Sequence, residues 1–157
     1  MNIIAFDPGQ KGGIAIHYQG ITTAHPMPLA GKVLDLPSIA DLIRSHSPEL
    51  AVIEKVGSMP GQGVSSTFTF GCGYGQLQGL LAGLGIPFEL VTPQAWKKLV
   101  LAGTPKDKDA AIAYCRRAFP DVPLVMPRFR TPHDGIADSL CLLQYGLRQF
   151  YIGKNHL

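Results

Sequence analysis

The stretch Asn2-Ile3-Ile4-Ala5-Phe6-Asp7-Pro8-Gly9 decides the reading of this chain. Asn2 to Phe6 is apolar and β-leaning, and it stops at a Pro-Gly turn signal. Gly12-Gly13-Ile14-Ala15-Ile16 then resumes the pattern, so Asp7 stands at the exit of a buried strand. An unpaired carboxylate is costly to bury, so Asp7 is expected to meet a cation, backbone N–H groups or a metal. Taken alone, it has a plainer alternative as a cap of the Pro8-Gly9 turn. The choice depends on whether other acids arrive at the same place.

They do. Ile14 to Tyr18 and Ile21 to Ala24 read as strands joined by a tight hairpin at Gln19-Gly20. After Pro26, Pro28 and Gly31 break regularity, Ile39, Ala40, Leu42 and Ile43 fall at helical spacing from Pro37 to near Ser47-Pro48. Leu50-Ala51-Val52-Ile53 is a short apolar run typical of a strand covered on both faces, and it too ends in an acid, Glu54. A strand–helix–strand crossover can set two parallel strands side by side, which brings Asp7 and Glu54 together. Adjacent carboxylates repel unless a cation lies between them.

Gly57 to Gly63 reads as a mobile loop, followed from about Ser66 by a helix with Gly75, Gly79 and Gly83 on one face. Glycines at this spacing let another backbone approach, and packing within the subunit is expected, with a dimer contact as the alternative. Gly71-Cys72-Gly73-Tyr74-Gly75 fails the dinucleotide-phosphate fingerprint, because Gln76 stands where its last glycine is needed and no strand ends just before it. Ile86 to Val91 supplies a fifth strand, and Thr92-Pro93 opens a helix bearing Trp96, Lys97 and Lys98. Lys106-Asp107-Lys108-Asp109 leads into another helix, with Ala110, Ala111, Tyr114, Cys115 and Ala118 inward. The proline-rich segment from Phe119 to Arg130 is an extended connector carrying Arg128 and Arg130. The last helix starts at Thr131-Pro132-His133-Asp134 and turns Ile136, Leu140, Leu143 and Leu147 to the core. Asp134 and Asp138, four apart, share another face; Thr131-x-x-Asp134 also fits a capping box, whereas Asp138 has no such local role.

Composition bounds the function classes. The chain of 157 residues, 46% hydrophobic, suits one domain with a full core. No apolar stretch approaches the roughly 18 residues of a membrane span, which predicts a soluble, cytoplasmic protein. Cys72, Cys115 and Cys141 are odd in number and widely spaced, so reduced thiols are expected rather than a disulfide framework or zinc site. Residues 1 to 91 hold four Lys/Arg and six acids, while residues 92 to 157 hold ten and five. A basic final third points to a polyanionic partner, nucleic acid first.

Taken together, Ile4-Ala5-Phe6-Asp7-Pro8-Gly9, Val52-Ile53-Glu54, Thr92-Pro93-Gln94-Ala95-Trp96-Lys97, Lys108 and His133-Asp134-Gly135-Ile136-Ala137-Asp138-Ser139-Leu140 resemble the RuvC-type Holliday-junction resolvases, particularly their compact phage forms, within the ribonuclease H-like superfamily. The resemblance implies an α/β fold with a five-stranded mixed sheet, three antiparallel strands followed by parallel ones, flanked by helices. It implies a Mg²⁺-dependent endonuclease, Mn²⁺ substituting, with two ions roughly 4 Å apart at Asp7, Glu54, Asp134 and Asp138. In the family the companion of the last aspartate lies three residues before it, where this chain has Gly135; Asp134 and His133 both remain candidates. Lys97 and Lys108 match the basic residues beside the scissile phosphate. Lys98, Lys106, Arg128 and Arg130 are expected on DNA, with Phe68 and Phe70 stacking on opened bases. The implied partner is a four-way DNA junction, cut by a homodimer in the cytoplasm, at the nucleoid or in a phage host. The alternatives are a superfamily nuclease for flaps or RNA–DNA hybrids, and a branched-DNA binder that does not cut. An actin-like ATPase also begins with a strand and Asp-x-Gly, but it needs a second domain that this length does not provide.

Overall fold

The computed structural model describes residues 1–57, 61 and 63–154. Ser58, Met59, Pro60 and Gln62, which fall in the expected loop after Glu54, lie outside the described residues. Strands β1 (Ile3–Asp7), β2 (Gly13–Tyr18) and β3 (Ile21–Pro26) form the antiparallel opening. A small hairpin follows, β4 (Leu29–Ala30) with β5 (Val33–Leu34), where the sequence pattern shows only irregular chain. Helix α1 (Leu36–His46) comes next, its first turn capped by the Asp35 carboxylate, which accepts from Ser38 N–H. Strand β6 (Leu50–Glu54), helix α2 (Val64–Gly83), strand β7 (Phe88–Val91) and helices α3 (Pro93–Val100), α4 (Lys108–Ala118) and α5 (Asp134–Lys154) complete the chain.

The main sheet has the order β3-β2-β1-β6-β7, with β1–β6 and β6–β7 parallel and the other pairs antiparallel. This is the mixed five-stranded architecture that the sequence predicts. The register aligns Ile3 with Leu50 and Phe6 with Ile53, so Asp7 and Glu54 follow at neighbouring strand tips. Side chains alternate across a strand, and the two faces carry separate cores. Ile4, Phe6, Ala51 and Ile53 pack with Ile39, Ile43, Leu77 and Leu81 under α1 and α2. Ile3, Ala5 and Val52 pack with Trp96, Cys115, Ile136 and Leu140 under α3, α4 and α5. Asp7 and Glu54 have the parity of the second set. The fold therefore points both strand-end acids toward the face whose helices bear Lys97, Lys108, Asp134 and Asp138.

Helix α5 is the long member of that layer, and it meets β1, β2, β3 and β6 as well as α3 and α4. Its first turn lies directly on the β1–β2 turn. A methyl group on Gly135 would fall 2.6 Å from Gly12 Cα, and one on Gly13 would fall 2.9 Å from Ile136 N. Two backbones meet there with no side chain between them. Farther along, a methyl on Gly146 would press on Val52 Cγ2 at 2.8 Å, so α5 stays close to the sheet over its middle turns.

Two expectations are corrected. Gly75, Gly79 and Gly83 do not pack within the subunit: a methyl at each would have no heavy atom within 4 Å, and α2 buries only Leu77 and Leu81. Ala118, expected inward, is exposed at the last turn of α4. The cysteines are free, Cys72 exposed and Cys115 and Cys141 buried. Among the described residues no helix is long and apolar enough to cross a membrane.

The Gly13–Gly135 contact yields a test against intrinsic preference. Alanine favours a helix over glycine by about 1 kcal/mol. Gly135→Ala is nevertheless expected to lower stability by about 2 kcal/mol in urea unfolding, because a methyl with backbone on its far side must force the helix off the turn. A stability gain would mean that α5 does not sit on Gly12-Gly13.

Candidate active site

The β1 terminus is shaped for close approach. Gly9 has φ +113°, a conformation glycine takes without strain, and Gly12 lies so near the Asp7 carbonyl that a side chain there would collide with it. Gly12 N–H closes the turn on Gly9 C=O at 3.1 Å. The Phe70 ring from α2 covers this turn, its Cε2 lying 3.0 Å from where a methyl on Gly9 would be.

Asp7 stands at the centre of the charged cluster. Burial pushes its carboxyl up to about 8, and the like charges of Glu54, Asp138 and Asp134 add to the rise, with Lys108 opposing it. Asp138 is pushed up to about 6 by burial and by Glu54 and Asp134, against Lys97 and Lys108. Burial also raises Glu54, while a hydrogen bond from Trp96 and the charge of Lys97 pull it back. The structure thus brings Asp7, Glu54, Asp134, Asp138, Lys97 and Lys108 into one electrostatic neighbourhood.

The partners of individual carboxylates are specific. Trp96, fully buried on α3, donates its indole N–H to Glu54 Oε1 at 2.8 Å. Lys97 Nζ lies 5.3 Å from the Trp96 ring centroid. Across the site, Lys108 Nζ pairs with Asp134 Oδ2 at 2.5 Å, and both side chains are well exposed to solvent. Exposed pairs of this kind add little stability, so Lys108 is free to exchange partners.

The structure also separates His133 from Asp134. Ile136 N–H donates to His133 Nδ1 at 3.2 Å, so His133 caps α5, and Asp134 occupies the first helical position. The proposed Thr131–Asp134 capping box is therefore not formed. An acid cannot stand at position 135, because the β1–β2 backbone fills the space a side chain would need. Asp134 lies one residue earlier, and its charge acts on both Asp7 and Asp138.

Lys98, Lys106, Arg128 and Arg130 are exposed. Lys106 and Arg128 sit at positive φ, 63° and 71°, in the bends flanking α4. Phe68 and Phe70 part company: Phe68 is 72% exposed, while Phe70 is half-buried against Gly9. The role of Trp96 is absent from the motif reading, although a buried indole beside Lys97 calls for an acceptor.

Three largely buried carboxylates and the more exposed Asp134 suit a hard divalent cation and offer nothing to a soft one. Among the described residues no three His, Cys, Asp or Glu side chains form a closed ligand cage. Of the four, Glu54 accepts from Trp96 and Asp134 pairs with Lys108. Burial is the larger cause of the raised Asp7 and Asp138 carboxyls, and the like charges of the neighbouring acids, which a cation would relieve, add to it.

This chain is similar to three solved structures of resolvases. Thermus thermophilus RuvC matches with a TM-score of 0.61 at 14% identity, covering 90% of each chain. The same protein in complex with a Holliday junction substrate matches at 0.59 and 13%, again over 90% of each chain. The yeast mitochondrial Holliday junction resolvase Ydc2 matches at 0.53 and 14%, over 89% of this chain and 75% of that one. No protein-family model and no curated protein matches the sequence. The fold is that of RuvC, a ribonuclease H-like α/β fold.

The raised carboxyls make a pH prediction. Asp7 and Asp138 both titrate higher in the folded chain than their ordinary 3.8, so the folded state holds extra protons between about pH 4 and pH 8. Their contribution to stability is therefore complete below about pH 4 and lost as pH rises through the folded values. In chelator, the melting temperature of the wild type should fall from pH 5.5 to pH 8, and Asp7→Asn should flatten that fall. An equal fall in both proteins would place Asp7 outside the repelling cluster.

Proposed function

We propose that this chain, folded as RuvC is folded, is a divalent-cation-dependent endonuclease that resolves four-way DNA junctions, a crossover junction endodeoxyribonuclease built as one domain. The observation that carries the reading is the meeting of Asp7, Glu54, Asp134 and Asp138 with Lys97 and Lys108 at the ends of β1 and β6. A protein that only bound DNA would gain nothing from setting four negative charges against phosphates. The likeness to a resolvase in complex with a Holliday junction supports the substrate.

Asp7, Glu54, Asp138 and Asp134 would hold Mg²⁺, or Mn²⁺ in its place, as two ions. When bound, such ions supply a nucleophilic water and neutralise charge on the phosphoryl oxygens and the leaving oxygen. The net reaction adds water across the P–O3′ bond, leaving a 5′-phosphate and a 3′-hydroxyl. The chain's own residues bind and orient. Lys97 reaches the Glu54–Asp138 side of the cluster, and Lys108 reaches the Asp134 side. Either ammonium can stabilise the extra negative charge that the phosphate gathers in the transition state. Lys98, Lys106, Arg128 and Arg130 extend the positive surface along which duplex arms lie, in the cytoplasm where such DNA is found. Phe68 is the exposed aromatic available to stack at an opened crossover, and Phe70 steadies the Asp7 turn.

A junction has two-fold symmetry and requires two opposed cuts, which a symmetric dimer supplies. Helix α2 supports that assembly. No Asp, Glu, Lys, Arg or His occurs from Val56 to Phe88, yet Val64 and Phe68 are exposed and the face of Gly75, Gly79 and Gly83 is open. An uncharged helix face of this kind fits a second copy of itself at close range.

Asp7→Asn is expected to retain junction binding, or to tighten it by removing one negative charge, while cleavage falls by several orders of magnitude. Gel-shift and single-turnover nicking assays on the same junction check both halves; a folded variant that cuts normally removes Asp7 from the chemistry. Gly79→Arg, where the monomer has open space, should convert a sedimenting dimer to a monomer and abolish paired cuts. A dimer that persists would move the interface away from α2.

A further inference from the structure

Glu54 differs from the other acids of the cluster in having a built-in partner on the protein. Its Oε1 accepts from Trp96 Nε1 at 2.8 Å. That indole is fully buried and packed with Ile3, Val52 and Val91 among the neighbours of its core, so its ring cannot swing away without disrupting them. It lies on α3, whose start is fixed by Pro93 and by Thr92, whose hydroxyl accepts from Ala95 N–H. Lys97, the next residue, holds the opposite charge near the same carboxylate. The chain of constraint runs from helix cap to ring to carboxylate oxygen.

We propose that Trp96 is a positioning residue of the cation site: it ties down Glu54 Oε1 and leaves Oε2 as the freer oxygen, so that Glu54 acts as a one-oxygen ligand. The assignment rests on the reading of Glu54 as a cation ligand, and it goes beyond that reading by naming what orients it. A carboxylate tethered through one oxygen suits Mg²⁺ or Mn²⁺, which demand compact octahedral coordination. It suits Ca²⁺ less, because Ca²⁺ readily takes both oxygens of a carboxylate. Trp96 would therefore set both the affinity of the site and its discrimination against the larger ion. Partners that orient ligands in this way typically contribute 10- to 100-fold in metal affinity.

Trp96 is also the single tryptophan of the chain, so its emission reports on Glu54 without a label. Three proteins would be compared by Mg²⁺ titration of fluorescence where they retain the indole, and by calorimetric titration with Mn²⁺ and with Ca²⁺. They are the wild type, Glu54→Gln, and a protein carrying benzothienylalanine at position 96, which keeps the shape of the ring and replaces its N–H with sulfur. Trp96→Phe serves as a second removal of the donor, and melting temperature and near-ultraviolet dichroism verify folding.

The expected result has four parts: a saturable Mg²⁺-dependent change of emission in the wild type, its loss in Glu54→Gln, Mn²⁺ binding about 10- to 100-fold weaker without the indole donor, and a smaller preference for Mn²⁺ over Ca²⁺. Unchanged Mn²⁺ affinity and ion preference in the benzothienyl protein, with Glu54-dependent binding intact in the wild type, would overturn the role of Trp96 and leave the nuclease reading standing. No Glu54-dependent binding of Mn²⁺ by the wild type would overturn both.

Discussion

Helix α5 reaches the β1–β2 turn because Gly13 and Gly135 leave nothing between two backbones. That contact sets the depth of the helix and therefore the distance of Asp134 and Asp138 from Asp7. With a side chain at either glycine the helix would ride higher, and the acid cluster would open. The same contact dictates which residue of the first turn can bear an acid. Position 135 is closed by the backbone, so the charge resides at 134, where the side chain projects past the turn toward Lys108.

The remainder of the site follows from strand parity. Asp7 and Glu54 fall on the face covered by α3, α4 and α5 because Ile3, Ala5 and Val52 do. Burial raises the carboxyls of Asp7, Glu54 and Asp138, and mutual repulsion adds to the rise at Asp7 and Asp138. The sheet and α5 hold the acids against their own repulsion. Trp96 and Lys108 offset part of the negative charge of this cluster through Glu54 and Asp134.

Much of this is legible in the residues themselves. The apolar runs ending at Asp7 and Glu54, and the Asp134–Asp138 spacing, carry the strand order and the acid cluster, because alternation and helical periodicity are local signals. The β4–β5 hairpin is not legible: each strand has two residues, too short for any period, and Leu34 joins it to the core under α1 and α2. The capping role of His133 and the hydrogen bond of Trp96 depend on contacts with distant chain or on exact backbone geometry. The open glycine face of α2 is the reverse case. Spacing suggests a surface for close approach, but only the open space around Gly75, Gly79 and Gly83 shows that no described part of this chain fills it.

The central claim is that this cluster cuts branched DNA with a divalent cation. The most direct test is incubation of the wild-type protein with an immobile four-way junction, a linear duplex and an RNA–DNA hybrid, each in Mg²⁺, Mn²⁺ and chelator. Paired, symmetric nicks confined to the junction and abolished by chelator are the predicted result. Cleavage of the hybrid in place of the junction, or tight junction binding with no cut in either metal, would contradict it.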